Sequence, residues 1–197
     1  MNITIKKSPV VMLPTDADYE KIPNFITSDG LHTTTEFATE YEFVKILYWL
    51  IVAKGHKRIL EIGTNKGHGT YWLLKAAEKT GGSVITVDPE NLYQGIESER
   101  LTRINKKSTD FFESLVDTDE FDFIYVDGDH SFIMAYYDIY SAQRRISKGG
   151  TIAVHDTRYN EGNHVYQVDK ALLEVMRDTK GSWTMYPCGH GMAIGEF

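Results

Sequence analysis

Four carboxylates follow or close runs of apolar and β-branched residues. Glu61 lies in Arg58-Ile59-Leu60-Glu61-Ile62-Gly63, Asp88 follows Ser83 to Val87, Asp127 follows Phe121 to Val126, and Asp156 follows Thr151 to His155. Acids at the ends of strands are not needed for packing, so their recurrence favours a site over a scaffold. Carboxylates placed there can bind a cationic group, and a converging pair suits a hard divalent cation such as Mg²⁺, Mn²⁺ or Ca²⁺. Two histidines accompany them: His130, three residues after Asp127, and His155, directly before Asp156. An imidazole with an ordinary pKa of about 6.5 can exchange a proton near neutral pH.

Between the first two acids lies a glycine-rich turn with Gly63, Gly67 and Gly69, the spacing Gly-x-x-x-Gly-x-Gly. Such a turn can cradle a dinucleotide. A pyrophosphate at the start of the following helix is anionic, however. Glu61, two residues before the first glycine, would repel it and would favour a ligand carrying an ammonium group. Asp88 does not discriminate, because it can accept hydrogen bonds from the ribose of either kind of ligand. Tyr166-x-x-x-Lys170 matches an oxidoreductase pair, but no serine stands in the region expected upstream of it, and the turn lies far from the N-terminus. A bare strand-to-helix turn is the remaining reading, and three glycines together with Glu61 and Asp88 disfavour it. Asp127 has its own alternative role, as a cap on the helix that starts near Ser131.

The elements that position these residues follow from periodicity. Thr33 and Glu36 have capping-box spacing, and Phe37, Tyr41, Val44, Tyr48 and Ile51 recur on one helical face that Gly55 ends. Strands are expected at 58–63, 83–87, 104–107, 121–126, 151–154, 182–186 and 191–194. Helices are expected at 71–79, 96–103, 111–116, 132–146 and 165–176. Gly149-Gly150 closes the fourth of these helices, and Cys188-Gly189-His190 joins the last two strands as a hairpin. Alternation of strand and helix implies an α/β fold, a mostly parallel sheet with helices on both faces and an antiparallel hairpin at its end. Ligands of such sheets bind outside the carboxyl ends of the strands. The chain reads as one domain, with residues 1–57 as an arm and helix, and residues 58–197 as the core. The arm and the loop Arg158–Asn163 are expected to form a lid. His56 and His164 read as surface residues, Trp72 as core, and Tyr136, Tyr137 and Tyr140 as helix packing.

Composition narrows the function classes. The 197 residues carry 21 Lys and Arg against 28 Asp and Glu, a net charge of −7. Such a chain is a poor partner for a nucleic acid backbone. Cys188 is the one cysteine, which suits a reducing, cytoplasmic setting. The longest apolar run, Ile46 to Ala53, is far short of the roughly 20 residues of a membrane span, and no membrane association is expected.

The stretches LEIGTNKGHGT, VITVDPE, FIYVDGDHSF and GGTIAVHDT resemble class I methyltransferases that use S-adenosylmethionine (SAM). More narrowly they resemble the macrocin O-methyltransferase and cephalosporin-hydroxylase-like group and the catechol O-methyltransferase type. The resemblance implies a Rossmann-like seven-stranded sheet. It implies SAM contacts at Glu61, Gly63, Asn65, Gly67, His68, Asp88, Ser108 and Asp127. It also implies a divalent cation, Mg²⁺ or similar, at Asp127, Asp156 and Thr157, and His130 as general base toward a small hydroxylated acceptor. Catechol-type enzymes have Asp-Asn where this chain has Asp156-Thr157. The ion is then bound loosely, bound with help from Asp129 or His155, or absent, and His155 is the base if it is absent. A SAM-binding module without turnover and a nicotinamide oxidoreductase are the competing classes. Only residues 1–57 are left to shape the acceptor pocket, so a small acceptor, or a homodimer whose second chain completes the pocket, is expected.

Overall fold

A computed structural model of the chain describes residues 39–158, 160–161, 164–165, 167–178 and 181–197. The elements, in chain order, are α1 (Tyr41–Lys54), β1 (Arg58–Ile62), α2 (His68–Thr80), β2 (Ser83–Val87), β3 (Leu101–Ile104), α3 (Ser108–Ser114) and β4 (Phe121–Val126). Then come α4 (Phe132–Arg145), β5 (Ile146–His155), β6 (Asn160–Glu161), β7 (His164–Val165), α5 (Val168–Arg177), β8 (Ser182–Tyr186) and β9 (Met192–Glu196). Seven strands form one sheet in the order β3-β2-β1-β4-β5-β9-β8. The first five are parallel. β9 pairs antiparallel with both β5 and β8. This is the α/β architecture expected from the sequence, with the hairpin at the sheet's end. No described helix is long and apolar enough to cross a membrane.

The strand period of two sorts side chains between two cores. Ile59, Val84, Phe123, Tyr125 and Ala153 pack toward α1 and α2, against Phe43, Val44, Leu47, Ile51, Leu73 and Leu74. Leu60, Ile62, Val87, Ile124, Val126, Ile152 and Val154 pack toward α3, α4 and α5, against Phe111, Ile139, Ala142, Leu172 and Val175. Each fully buried aliphatic or phenyl side chain contributes about 1.5–3 kcal/mol, so the sheet's centre is fixed from both faces. The same alternation decides where the polar residues point. In register, Thr86, Glu61 and Tyr125 form one row across β2, β1 and β4, on the α1 and α2 face.

Several expectations are corrected. The helix expected at 96–103 is absent: Leu101 to Ile104 pairs with β2 as the edge strand β3. Thr102 and Arg103 are exposed there, which an edge strand tolerates, and the strand ends at Ile104 rather than spanning 104–107. β5 begins at Ile146, directly after α4, and contains Gly149 and Gly150. The shift in register between Phe121 and Phe123 absorbs the extra residues of β5. The last helix starts at Val168 rather than Val165: Asn160 and Glu161, in the region read as a loop, pair with Val165 and His164 in a short ribbon. His56 is buried rather than on the surface, with Nε2 3.2 Å from Thr151 Oγ1. The capping box at Thr33, residues 1–38 of the arm and half of the lid loop lie outside the described residues.

Candidate functional site

The carboxyl ends of β1, β2, β4 and β5 carry the residues singled out from the sequence. The glycine turn is pinned from both sides. Gly63 N–H donates to Val87 O at 2.9 Å, and Asp127 N–H donates to Ile62 O at 2.8 Å. Gly63 has φ +96°, and a Cβ there would overlap the Asp127 carbonyl. Asn65, also at positive φ (+43°), donates its N–H to Asp88 Oδ2 at 2.9 Å. The other Asp88 oxygen accepts from Glu90 N–H at 2.8 Å. Asp88 therefore ties the glycine turn to the loop after β2. Gly67 caps α2, and His68 opens that helix, hydrogen-bonded to the Thr39 backbone. Ser108 opens α3, buried and hydrogen-bonded to Asp138 of α4, whose carboxyl burial pushes up to about 7.

Glu61 lies beneath this turn and is 1% exposed. Its Oε2 accepts from Thr70 Oγ1 at 2.5 Å and from Thr86 Oγ1 at 2.6 Å. Gly69 lets the other oxygen approach the helix, since a Cβ there would stand 2.5 Å from Oε1. Burial pushes the Glu61 carboxyl up to about 8. Glu61 is therefore not the exposed anion expected from the sequence. It is mostly neutral at pH 7 and braces the glycine turn from below.

The β4–β5 end is built differently. Asp127 Oδ2 accepts from Tyr125 OH at 2.8 Å and from Thr39 Oγ1 at 3.0 Å. Its Oδ1 lies 3.1 Å from His155 Nδ1. His155 Nε2 lies 2.6 Å from Glu40 Oε2. The edge of Phe43 packs on the imidazole, with ring centres 5.7 Å apart. Burial works against charge on His155, but Asp127, Asp156 and Glu40 outweigh it and hold the imidazole well above its usual range. The imidazolium in turn keeps Asp127 ionised despite its burial. Asp156 sits at φ +56°, so the chain turns sharply as it leaves β5. Asp156 Oδ2 meets His130 Nε2 at 2.7 Å. Burial again opposes charge, yet His130 and His155 hold Asp156 well below the usual carboxylate range. Asp156 and Asp127 raise the pKa of His130.

One ligand atom from each of Asp127, His130 and Asp156 lies within 4.8 Å of the others. Thr157 is buried beside them, with its N–H donating to Gly191 O at 3.3 Å. Asp129 accepts from Ser131 N–H at 2.7 Å, so Asp129, not Asp127, is the acid of the turn before α4.

Residues 60–157 match the family described as a methyltransferase domain. The sheet order agrees with it. Over these residues, just under half of the chain, the similarity is to a methyltransferase domain. The chain is 25% identical over 150 residues to the catechol O-methyltransferase of Niastella koreensis, covering 71% of this chain and 65% of that enzyme. The chain thus spans just under two thirds of that relative's length. An O-methyltransferase from Bacillus cereus, solved in complex with SAH, superposes with a TM-score of 0.70 at 20% identity, covering 94% of this chain and 93% of that one. A Podospora anserina methyltransferase, solved bound to SAH, gives 0.68 at 16% identity, covering 92% and 85%.

The carboxylate oxygens of Asp127 and Asp156 are the donor type that a hard divalent cation takes. Tyr125, Thr39, Glu40 and His190 also belong to the site, and the sequence reading did not find them. For Tyr125 the signal existed: it stands on β4 two residues before Asp127, which directly follows that strand, hence toward the same face. Glu40 and His190 arrive from a helix start and a hairpin loop, and no local pattern marks them.

Proposed function

We propose that the chain is a SAM-dependent O-methyltransferase acting on a small hydroxylated acceptor with the help of a divalent cation. The observation that carries this reading is the convergence of Asp127, His130 and Asp156, beside a glycine turn that Asp88 braces. Asp127 and Asp156 would hold the cation. Asn65, Gly63, Gly67, His68, Asp88 and Ser108 line the path proposed for SAM, and Glu61 shapes the turn from below. When bound, SAM supplies a methyl group on a sulfonium that leaves as a neutral sulfide, and the cation lowers the pKa of the acceptor hydroxyl.

The chain's own residues have defined tasks in this scheme. Tyr125, Thr39 and His155 fix both oxygens of Asp127 and keep it ionised. Asp156 holds the His130 ring at Nε2. Once freed from Asp156 and deprotonated, His130 accepts the hydroxyl proton at Nε2 as general base. The exposed, free Cys188 supports a reducing, cytoplasmic location as part of the proposal. The acidic net charge supports a small-molecule acceptor over a nucleic acid, and a homodimer remains the proposed means of completing the pocket.

The test is titration calorimetry with SAM, with and without Mg²⁺, together with mass spectrometry of catechol incubated with the protein. Sub-millimolar SAM binding and a methylated product that EDTA suppresses are expected. Absence of SAM binding overturns the reading. Full turnover in EDTA overturns the cation's part alone, and SAM binding without methylation of any hydroxylated probe favours a binding module.

A further inference from the structure

Behind the proposed cation site lies a second group of metal-ligating atoms, of different chemistry. Glu40, at the start of α1, places its carboxylate between two imidazoles. Oε2 lies 2.6 Å from His155 Nε2, and Oε1 lies 3.2 Å from His190 Nδ1. One ligand atom from each of the three residues lies within 4.8 Å of the others. Ligand atoms around a tetrahedral zinc ion stand about 3.3 Å apart when the bonds are about 2.0 Å long. The two carboxylate–imidazole spacings, 2.6 and 3.2 Å, lie below that value by 0.7 Å or less, and the 4.8 Å bound on the whole set leaves room to open to it.

We propose that Glu40, His155 and His190 form a second divalent-metal site, suited to a borderline transition ion such as Zn²⁺ and separate from the carboxylate site at Asp127 and Asp156. Two imidazoles and one carboxylate are ligands for zinc rather than for Mg²⁺, which takes oxygen. Three protein ligands leave the fourth position open, and the half-exposed His190 lies on the side open to solvent.

Independent support comes from the atoms one bond further out. A metal-bound histidine almost always gives its other ring N–H to a carboxylate or carbonyl, which fixes its orientation. His155 Nδ1 stands 3.1 Å from Asp127 Oδ1, so the carboxylate–histidine–metal arrangement is already built. Glu40 is oriented too, because Oε1 accepts from His190 N–H at 2.5 Å. The hairpin loop reaches this carboxylate through Gly189, at φ +52°, where a Cβ would overlap Glu40 Oε1. An ion here would join the start of α1, the end of β5 and the β8–β9 loop, three segments distant in sequence.

The test uses the full chain freed of metal by dialysis against a chelator. Zn²⁺ is titrated in competition with a chromophoric chelator, in excess Mg²⁺. One zinc per chain is expected, not displaced by Mg²⁺, and it should raise the unfolding temperature. Asp127→Asn removes only the outer carboxylate and should weaken binding by roughly 10–100-fold. His190→Ala and Glu40→Gln remove ligands and should weaken it further, whereas His130→Ala should leave it unchanged. Co²⁺ in the wild-type chain should give the strong visible absorption of a four-coordinate site with nitrogen ligands, a readout that stands even where a variant is unstable. No zinc uptake, binding lost in His130→Ala but kept in His190→Ala, or the weak spectrum of octahedral oxygen-ligated Co²⁺ would each overturn the proposal.

Discussion

The two halves of the sheet's functional edge bury carboxyl groups in opposite states. At the glycine turn, Glu61 is enclosed by the hydroxyls of Thr70 and Thr86, and burial pushes it up to about 8. At the β4–β5 end, Asp127 is also enclosed, but an imidazole faces it and it stays ionised. Hydroxyls satisfy the hydrogen-bonding needs of a buried carboxyl without compensating its charge, so desolvation decides. A cationic ring compensates the charge itself. The difference teaches that one row of side chains on one face can keep a neutral brace beside a charged centre. The buried fixed charge lies in the β4–β5 half, and the turn half holds a neutral brace.

Removing the charge pairing should have the largest effect. Asp127→Ala removes the nearer Nδ1 partner of the buried His155, leaving Asp156 Oδ2 at 3.5 Å and Glu40 at Nε2, and should lower the unfolding free energy by about 3 kcal/mol, the low end for a broken buried pair, measured by urea denaturation. NMR titration of the same variant should show His155 giving up its proton at lower pH than in the wild type. Methyl transfer, if the proposed activity holds, should disappear. On the other half, Thr86→Val removes one hydroxyl donor to Glu61 while keeping the side-chain shape. It should cost about 1–3 kcal/mol in the same assay and leave the His155 titration where it was. If Thr86→Val proved as costly as Asp127→Ala, or moved the His155 titration, the two halves would be one coupled unit and the contrast would fail.

How much of this was readable beforehand depended on whether a residue's neighbours lay near it in sequence. Strand runs such as Phe121–Val126, followed at once by an acid, fixed both the sheet and the position of Asp127. The edge strand β3 was misread because a strand exposed on its flank lacks the apolar run that marks buried strands. Asp88 and Asp156 were found as strand-end acids. Their backbone partners, and the positive φ of Asp156, are products of loop geometry with no compositional trace. Glu40 and His190 meet across 150 positions, and only the packing of α1 against the sheet's end brings them together. The charge on Glu61 was misjudged for a related reason. A carboxylate beside a glycine turn looks exposed in one dimension, whereas the register places it in the row of Thr86 and Tyr125, under α2.

The neutral state of Glu61 yields the smallest and most specific expectation. In the folded chain its carboxyl titrates at about 8, against 4.5 without the fold. Between those values the unfolded chain has released a proton that the folded chain still holds, so raising the pH favours unfolding. The contribution is fully present below pH 4.5, declines as the pH rises toward 8, and is level beyond it. Asp127 and Asp156 act with the opposite sign, because their lowered pKa values lose stability only as the pH falls through the acid range. They are common to wild type and variant and cancel in the difference. Glu61→Gln replaces one neutral hydrogen-bonding group with another, so at pH 4.5 the two proteins should differ by about 1 kcal/mol or less. As the pH rises toward 8, the wild type should lose stability relative to the variant. A difference curve flat across that window would show Glu61 ionised in the folded chain, and the two halves of the edge would then carry the same charge state.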